Sequence, residues 1–338
     1  MTADNKGDAL LFRNLKLLDP RFDEARGGYE VLVEGDRFRE VADKPIKSAA
    51  ATVIDCGGRV LMPGLIDCHV HCMHTEVYIR RLEEVPLTLN TARAAVRVRE
   101  MLDRGFTTVR DAGGADWGFK AAIDQGYIQG PRLFIAGRSL GPTGGHNDNR
   151  ARTAGQAPCF CCNAMVHLRE QVDGVDNVRR AVREQMRLGA DAIKIMVSGG
   201  VASPYDPLDS LQFSPGEVAA AVEEAHAFGR YVCAHAYTPE AITRAAHAGV
   251  RTIEHGNLID DAAAKLMAEK GMFLIANLVT YYAMRERAAE FGMNADMLAK
   301  NDLVIDGDPL RNLELFQGQG RHLQVIMKDG AFHKRTLH

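Results

Sequence analysis

The sequence predicts an α/β protein built around a (β/α)8 TIM-type barrel, and three observations predict it. Helical patterns in the middle of the chain each end at a glycine, and a short apolar strand follows at once. These strands are nearly continuous in apolar residues, as in parallel sheets buried on both faces. A doubly wound sheet would fit as well. Polar residues recur at the carboxyl ends of the strands, where a parallel barrel builds its active site, and this favours the barrel.

The repeating units can be placed from their glycines and helix caps. A glycine suits the left-handed C-cap of each preceding helix. Ser214 and Glu217 predict a capping box with Pro215 in the first turn, and Thr238 precedes Pro239 in the same order. The strands are expected to begin after Gly105, Gly189, Gly229, Gly249 and Gly271.

Both ends of the chain carry β-like runs instead of this alternation. Residues 8–60 hold three such runs separated by Gly, Pro and Asp, as in a small antiparallel sheet. Near the other end, Asp329 and Gly330 lie between two strand-like runs, which predicts a hairpin. We expect the two ends to share one sheet domain.

Composition and charge narrow the classes of partner. The net charge is −3 and no Lys/Arg block is present, so nucleic acid is not expected as a partner. No apolar stretch approaches about 18 residues, and the start lacks a signal-like pattern. We therefore expect a cytoplasmic protein whose partner is a small molecule and not a membrane. We also expect it to form a homo-oligomer.

The cysteines do not indicate a disulfide framework. The chain has seven, an odd number. Cys159, Cys161 and Cys162 lack the paired two-residue spacing of a structural zinc site, so we interpret them as reduced thiols in a loop.

Polar groups recur in one register at the ends of the predicted strands. Asp111, His235 and His255 each lie six residues after the leading glycine, and Lys194 lies five after its own. His69 and His71 end a further strand, and the period of two places both imidazoles on one face. Four histidines would then converge on one barrel mouth, which is typical of a catalytic metal site. The alternative is that the four histidines each form hydrogen bonds with separate partners and bind no common ion.

Lys194 is the most informative of these residues. Its ammonium lies inside the apolar run AIKIMV, where burial is costly unless something neutralises or uses it. Reaction of the amine with carbon dioxide would give a carbamate, an anion with two oxygens that can bridge two cations. The alternative is an ion pair with a buried carboxylate.

Four motifs resemble the amidohydrolase superfamily: PGLIDCHVH, the lysine in IKIMVSGG, HAYTPEAI and TIEHG. The resemblance runs from about Val60 to Asn277. Flanking runs are similar to that family's small β-sandwich domain. The resemblance therefore implies a sandwich domain formed by residues 1–61 and 302–338, and a barrel formed by residues 62–301 that is incomplete at strand eight. The most similar subgroup contains binuclear dipeptidases that cleave Xaa-Pro or Xaa-Arg, and amidases of N-acyl amino acids, including ochratoxin-type amides.

The resemblance implies a function for each motif. His69 and His71 would bind one divalent ion, His235 and His255 a second, and a carboxylated Lys194 would bridge them. Zinc is the metal that these ligand types favour. A water acidified by the ions would attack the amide carbonyl of a substrate with a free C-terminal carboxylate.

Two further residues match substrate-binding positions of the family. His146 would contact the substrate carbonyl and serve in catalysis, and Tyr237 would bind the substrate carboxylate. The alternative interpretation is that each is a partly exposed side chain that forms ordinary hydrogen bonds and has no role in the site. Two other functions stay open: a cyclic-amide hydrolase similar to imidazolonepropionase, and a truncated, non-catalytic scaffold with the amidohydrolase fold.

The sequence departs from the family at strand eight. Members carry there an aspartate that binds the first ion and serves as general base. The stretch after the seventh strand leads directly into NDLVIDGDPL and leaves no room for another βα unit of roughly 30 residues. Asp302 or Asp306 would be the ligand only if NDLVID were strand eight, and Asp111 lies on the wrong strand. We therefore expect the polypeptide to contain a further segment between about Met297 and Leu303, including a strand that ends in a metal-binding Asp.

Overall fold

The computed structural model describes residues 9–76, 78–153, 167–203, 205–305, 325–328 and 331–335. Within these ranges, no helix is both long and apolar enough to cross a membrane. The cysteine cluster at 159–162 lies outside the described residues.

The N-terminal strands are β1 (Ala9–Leu17), β2 (Arg26–Glu34), β3 (Arg37–Ala42), β4 (Thr52–Asp55) and β5 (Val60–Leu61). They form one sheet with the order β3-β2-β1-β4, and β5 also pairs with β1. The β1–β2 and β2–β3 pairs are antiparallel as expected, whereas β4 and β5 run parallel to β1. Leu10, Phe12, Val31 and Ile54 pack into a small core on this sheet.

In the part of the chain that the structure describes, nine short strands form two parallel sheets. The first is β6 (Leu65–Val70), β7 (Phe106–Asp111) and β8 (Arg132–Ile135), in that order. The second contains β9 (Ser139–Gly141), β10 (Arg169–Gln171), β11 (Ile193–Met196), β12 (Val232–Ala236), β13 (Thr252–His255) and β14 (Phe273–Ile275). Its strand order is β10-β9-β11-β12-β13-β14.

Backbone hydrogen bonds join the two parallel sheets. The N–H groups of Asp191 and Ala192, just before β11, donate to the carbonyl of Ile135 at 2.7 and 3.3 Å. The strands therefore continue around the fold from β6 to β14. The five strands expected after glycines are present as β7 and β11–β14, so the alternating α/β reading is confirmed.

Helices follow most of the parallel strands, and their caps are those that the sequence predicts. Ser214 and Glu217 form the capping box with Pro215 at the helix start, and Thr238 accepts from the N–H of Ala241. The helices are α1 (Leu87–Asp103), α2 (Trp117–Asp124), α3 (Val175–Arg187), α4 (Pro215–Ala227), α5 (Pro239–Ala248), α6 (Asp261–Glu269), α7 (Leu278–Glu286) and α8 (Ala295–Ile305).

The central strands and the inner faces of these helices share one core. All residues of β11 and β12 are buried, including Ile193, Ile195 and Val232. Full burial of such a side chain contributes roughly 1.5–3 kcal/mol. The predicted burial on both faces is therefore correct for the central strands.

The barrel is open between β14 and β6, which do not pair within the described residues. Apolar side chains at this seam are exposed: Ile66 by 66%, Phe273 by 54% and Leu274 by 43%. A side-chain bond spans the gap at the carboxyl end, from Asn277 Nδ2 to the carbonyl of His69 at 3.2 Å. Burial of β14 was expected and is not found, because no strand within the described residues pairs with its outer edge.

The expected division into domains stays a prediction at the end of the described chain. Helix α8 runs through the proposed boundary at 302, so Asp302 lies on a helix and not on an eighth strand. Asp306 lies outside the described residues. The strands β15 (Val325–Lys328) and β16 (Ala331–Arg335) pair antiparallel as predicted, although their turn is not described. They form a sheet of their own, so the shared sandwich domain stays a prediction.

Candidate metal centre

The carboxyl ends of the parallel strands surround a cavity of about 330 Å³. All of the residues predicted for the site line it, although they come from five different strands and loops. They are His69, His71, His146, Lys194, His235, Tyr237 and His255.

The four predicted metal-binding histidines form one cluster. The Nε2 atoms of His69 and His71 are 3.3 Å apart, so the same-face prediction for this pair is correct. The ring centroid of His255 lies 4.9 Å from that of His69 and 4.6 Å from that of His235. Imidazoles from β6, β12 and β13 therefore meet at one point of the cavity.

An unusual backbone conformation brings His255 into this cluster. Strand alternation would direct Glu254 and His255 to opposite faces. His255 has a φ of 78°, in the left-handed region that a non-glycine residue rarely adopts. Both neighbours consequently reach His69, Glu254 by a hydrogen bond and His255 by ring contact. Such strain concentrates at functional sites.

A buried carboxylate fixes the tautomer of His69. Its Nδ1 lies 2.7 Å from Oε2 of Glu254, and a carboxylate only accepts, so Nδ1 carries the proton. Arg110 donates to Oε1 of Glu254 at 2.6 Å, and Thr252 donates to the same oxygen at 2.5 Å. The Nε2 lone pair of His69 is thus available to a metal, as in carboxylate–histidine–metal triads.

Backbone carbonyls orient two other histidines in the same way. His71 donates from Nδ1 to the carbonyl of Gly113 at 2.9 Å, which leaves Nε2 as its acceptor atom. His235 donates from Nε2 to the carbonyl of Gly199 at 3.1 Å, which leaves Nδ1. Each ring therefore presents one lone pair.

Burial keeps these imidazoles neutral. It lowers the pKa of His69, His235 and His255 well below the usual range, and lowers that of His71 as well. Neutral imidazole is the form that binds metals.

Lys194 is 1% exposed, and burial lowers the pKa of its amine. Among the described residues it forms no ion pair, so the expected alternative of a buried carboxylate partner is not realised there. The carboxylate with the largest electrostatic effect on it, Glu254, is already bonded to Arg110 and His69. A lowered pKa and a missing counter-ion both suit an amine that becomes a carbamate.

Carboxylates are missing from the described cavity wall. Asp111 is fully buried, and it accepts the N–H groups of Cys72, Gly113 and Ala115, so it holds the turn after β7. Asp302 lies on α8, half exposed, near Arg285. Over the described ranges, no three His, Cys, Asp or Glu side chains have the arrangement of a complete metal site.

His146 and Tyr237 lie at the same cavity, each with a partner that the sequence does not reveal. The His146 ring stacks on His235 at 4.2 Å, and its Nδ1 lies 3.6 Å from the buried carboxylate of Asp206. The Tyr237 hydroxyl bonds to that of Tyr281 at 2.7 Å, and Tyr281 bonds to Nδ1 of His255 at 2.6 Å.

Comparison with known proteins identifies the family to which this site belongs. Residues 60–311 match the Amidohydrolase family. The chain belongs to that family. Its sequence is 37% identical over 248 residues to ochratoxinase of Aspergillus niger, a match that covers 70% of this chain and 51% of the enzyme. The chain thus spans about half the length of these curated relatives.

Two solved structures are similar over nearly the whole chain. One is a crystal structure of an amidohydrolase, 41% identical, with a TM-score of 0.91 that covers 98% of this chain and 100% of that chain. The other is a prolidase complexed with N-methylphosphonate-L-proline, 35% identical, with a TM-score of 0.90 and coverages of 97% and 100%. The predicted similarity to dipeptidase-like and ochratoxinase-like amidohydrolases is confirmed.

Proposed function

We propose that this protein hydrolyses the amide bond of a dipeptide or an N-acyl amino acid with a free C-terminal carboxylate. The observation that carries the proposal is the convergence of four neutral imidazoles and the buried Lys194 on one cavity. The similar prolidase and ochratoxinase support the same class of reaction.

The donor set fits two divalent ions, with zinc favoured by ligand type. His69 and His71 would hold one ion, His235 and His255 the other, and a carboxylated Lys194 would bridge them. Bound ions supply an activated water and polarise the carbonyl. The missing element is a carboxylate ligand, which the described cavity wall does not offer.

The remaining roles fall to residues around the ligands. Glu254 keeps the proton on Nδ1 of His69 and so directs Nε2 toward the cavity. His146 would donate to the substrate carbonyl, and Asp206, 3.6 Å from Nδ1 of His146, would orient that ring. Tyr237 stays a predicted donor to the substrate carboxylate.

The absence of a carboxylate among the described residues of the cavity wall favours a second candidate, a non-catalytic protein with the amidohydrolase fold that binds small molecules. One screen separates the two. Metal-replete protein would be assayed on a panel of dipeptides and N-acyl amino acids, with chelator-treated protein and the His235→Asn variant as controls. Turnover that disappears in both controls supports the hydrolase. Binding without turnover across the panel favours the scaffold, and full turnover after chelation contradicts the metal-dependent mechanism.

A further inference from the structure

Two buried tyrosines connect a predicted metal ligand to the predicted substrate-binding residue. The hydroxyl of Tyr281, on α7, lies 2.6 Å from Nδ1 of His255 and 2.7 Å from the hydroxyl of Tyr237. Both tyrosines are 2% exposed, and both line the cavity. His255, Tyr281 and Tyr237 thus form one continuous line of hydrogen bonds, which we call the tyrosine relay.

Packing and a backbone contact hold Tyr281 in the middle of the tyrosine relay. Its ring meets those of Tyr237 and His255 edge-on, with centroids 6.1 Å from each. Asn301, a fully buried residue of α8, donates from Nδ2 to the carbonyl of Tyr281 at 3.1 Å. The hydroxyl of Tyr281 therefore keeps its place between its two partners.

The number of protons limits how the relay can be arranged. Burial raises the pKa of both tyrosines, so each hydroxyl keeps its one proton at neutral pH. A neutral imidazole also carries one proton, on either of its nitrogens. The Tyr281 hydroxyl can donate to only one of its two partners, so it donates either to Nδ1 of His255 or to the oxygen of Tyr237.

Metal binding by His255 selects one of these two arrangements. Nδ1 is occupied by Tyr281, so Nε2 is the nitrogen that remains for an ion, and the ring proton must then be on Nδ1. Nδ1 donates that proton to the Tyr281 oxygen. Among the described residues, the oxygen of Tyr237 is the other hydrogen-bond partner of the Tyr281 hydroxyl. Since an unpaired buried donor is costly, both bonds run in the direction from His255 to Tyr237.

The direction of the relay determines what Tyr237 can do. When the Tyr237 oxygen accepts from Tyr281, its own proton is directed away from that bond and is available to a bound anion. In the opposite direction, Tyr237 donates that proton to Tyr281. The arrangement that leaves Nε2 of His255 to an ion is therefore also the one that leaves the Tyr237 proton to a carboxylate.

We propose that Tyr281 is a positioning residue that couples ion binding at His255 to carboxylate recognition at Tyr237. Coupling between two binding sites is reciprocal, so a carboxylate that accepts from Tyr237 also favours the metal-binding tautomer of His255. The carboxylate as the second ligand rests on the proposed function, whereas the action of Tyr281 on His255 does not.

A double-variant cycle on zinc affinity tests the relay without a substrate. Competition with a chromophoric chelator would be measured for wild type, Tyr281→Phe, Tyr237→Phe and the double variant, in which phenylalanine keeps each ring. Tyr281→Phe should weaken zinc binding by about 10- to 100-fold, since Nδ1 of His255 loses its partner. Tyr237→Phe should weaken it by about three- to tenfold, since Tyr281 loses its acceptor. The double variant should bind zinc as Tyr281→Phe does, because the Tyr237 hydroxyl acts on His255 only through Tyr281.

An acid and its amide test the other end of the relay. KM and Kd would be measured at saturating zinc for N-acetyl-L-phenylalanine and N-acetyl-L-phenylalaninamide. Tyr237→Phe should raise the values for the acid by about tenfold or more, and those for the amide by less than about threefold. Tyr281→Phe should raise the values for the acid by about two- to fivefold, because the Tyr237 proton is no longer directed. The double variant should match Tyr237→Phe.

Tyr282→Phe is the matched control. Tyr282 is the next residue of α7, its ring contacts Arg285, and it does not line the cavity. Its loss of a hydroxyl should leave zinc affinity and the values for both compounds unchanged.

Three results would overturn the proposal. They are wild-type zinc affinity in Tyr281→Phe, zinc losses that multiply in the double variant, and acid-specific losses that multiply there, since the last would mean that Tyr281 contacts the substrate itself. If wild type hydrolyses neither compound, the proposed function fails, and the zinc cycle still decides the action of Tyr281 on His255.

Discussion

His69 and Glu254 are joined by a hydrogen bond of 2.7 Å although 185 positions separate them in the chain. The bond connects β6 to β13, strands that lie on either side of the open seam and do not pair with each other. Arg110 on β7 completes the link through the other carboxylate oxygen, at 2.6 Å. One buried carboxylate thus orients a predicted metal ligand and holds both sides of the seam together.

Glu254→Gln should therefore weaken metal binding. The neutral amide cannot hold the Nδ1 proton of His69 as strongly, and loss of such a partner typically costs about 10- to 100-fold in metal affinity. Competition with a chromophoric zinc chelator measures this directly. The variant also leaves the buried Arg110 without its carboxylate partner, which lowers the free energy of unfolding by roughly 3–5 kcal/mol. The double variant Arg110→Met/Glu254→Gln, which removes that unpaired charge, would therefore be measured beside it.

A matched control is Glu224→Gln, which removes another poorly exposed carboxylate that binds two arginines, Arg179 and Arg183, outside the cavity. Its zinc affinity should equal that of wild type. Unchanged zinc affinity in both Glu254 variants would show that the hydrogen bond from His69 to Glu254 does not affect metal binding.

Lys194 provides the second prediction. Lys194→Ala should reduce bound metal from about two ions per chain to one or fewer, since the bridging carbamate is lost. Lys194→Arg should lose bound metal to the same extent, because guanidinium stays charged and forms no carbamate. Plasma emission analysis of the metal measures occupancy without an activity assay.

Added acetate or propionate should partly restore the metal content of Lys194→Ala, because a short carboxylate can replace the carbamate oxygens. It should have no effect on Lys194→Arg, whose side chain still fills the space. Wild-type metal content in Lys194→Arg would reduce the lysine to a structural residue.

The third prediction concerns acid stability of the metal-free protein. His69, His74, His235 and His255 stay neutral in the fold because burial lowers the pKa of each well below 6.5. In the unfolded chain they take up protons as the pH falls through about 6.5, so stability is present above that pH and is lost below it. At pH 5.5 each contributes a loss on the order of 1 kcal/mol.

Urea unfolding of chelator-treated protein gives the difference in the free energy of unfolding between pH 7.5 and pH 5.5. His74→Gln should reduce this difference, because one buried titrating ring is removed. His247→Gln, at an exposed position on α5, should leave it unchanged. A stability that is equal at the two pH values would be inconsistent with neutral buried histidines.

Sequence patterns could predict the repeating α/β units and the ligand histidines, because strand period and leading glycines are local properties. They could not predict Glu254 as a partner of His69. Alternation places it opposite to His255, and only the positive φ of His255 brings both residues to the same ring. Tyr281 was missed for a similar reason, since its hydrogen bonds to Tyr237 and His255 depend on tertiary packing.

The fourth prediction follows from the open seam of the barrel. Helix α8 is continuous through residues 297–303 and packs by Met297 and Val304, so the described residues there contain no eighth strand. Phe273 and Ile66 are exposed on strand edges that have no partner among the described residues. Such edges are templates for pairing with another chain. If this chain supplies no further strand, we expect it to associate with itself through β14.

Sedimentation at micromolar concentration tests the association, and Phe273→Lys should weaken it by at least about tenfold, because a charge at an edge opposes strand pairing. Phe228→Lys is the matched control, since Phe228 is equally exposed, at 54%, at the end of α4. Denaturing mass spectrometry on the same material separates the two ways of closing the seam. A mass of 37.0 kDa with a dissociable dimer supports pairing between copies. A monomer of 37.0 kDa contradicts it, and a mass several kilodaltons larger would mean that the expected segment between Met297 and Leu303 supplies strand eight and its Asp within one chain.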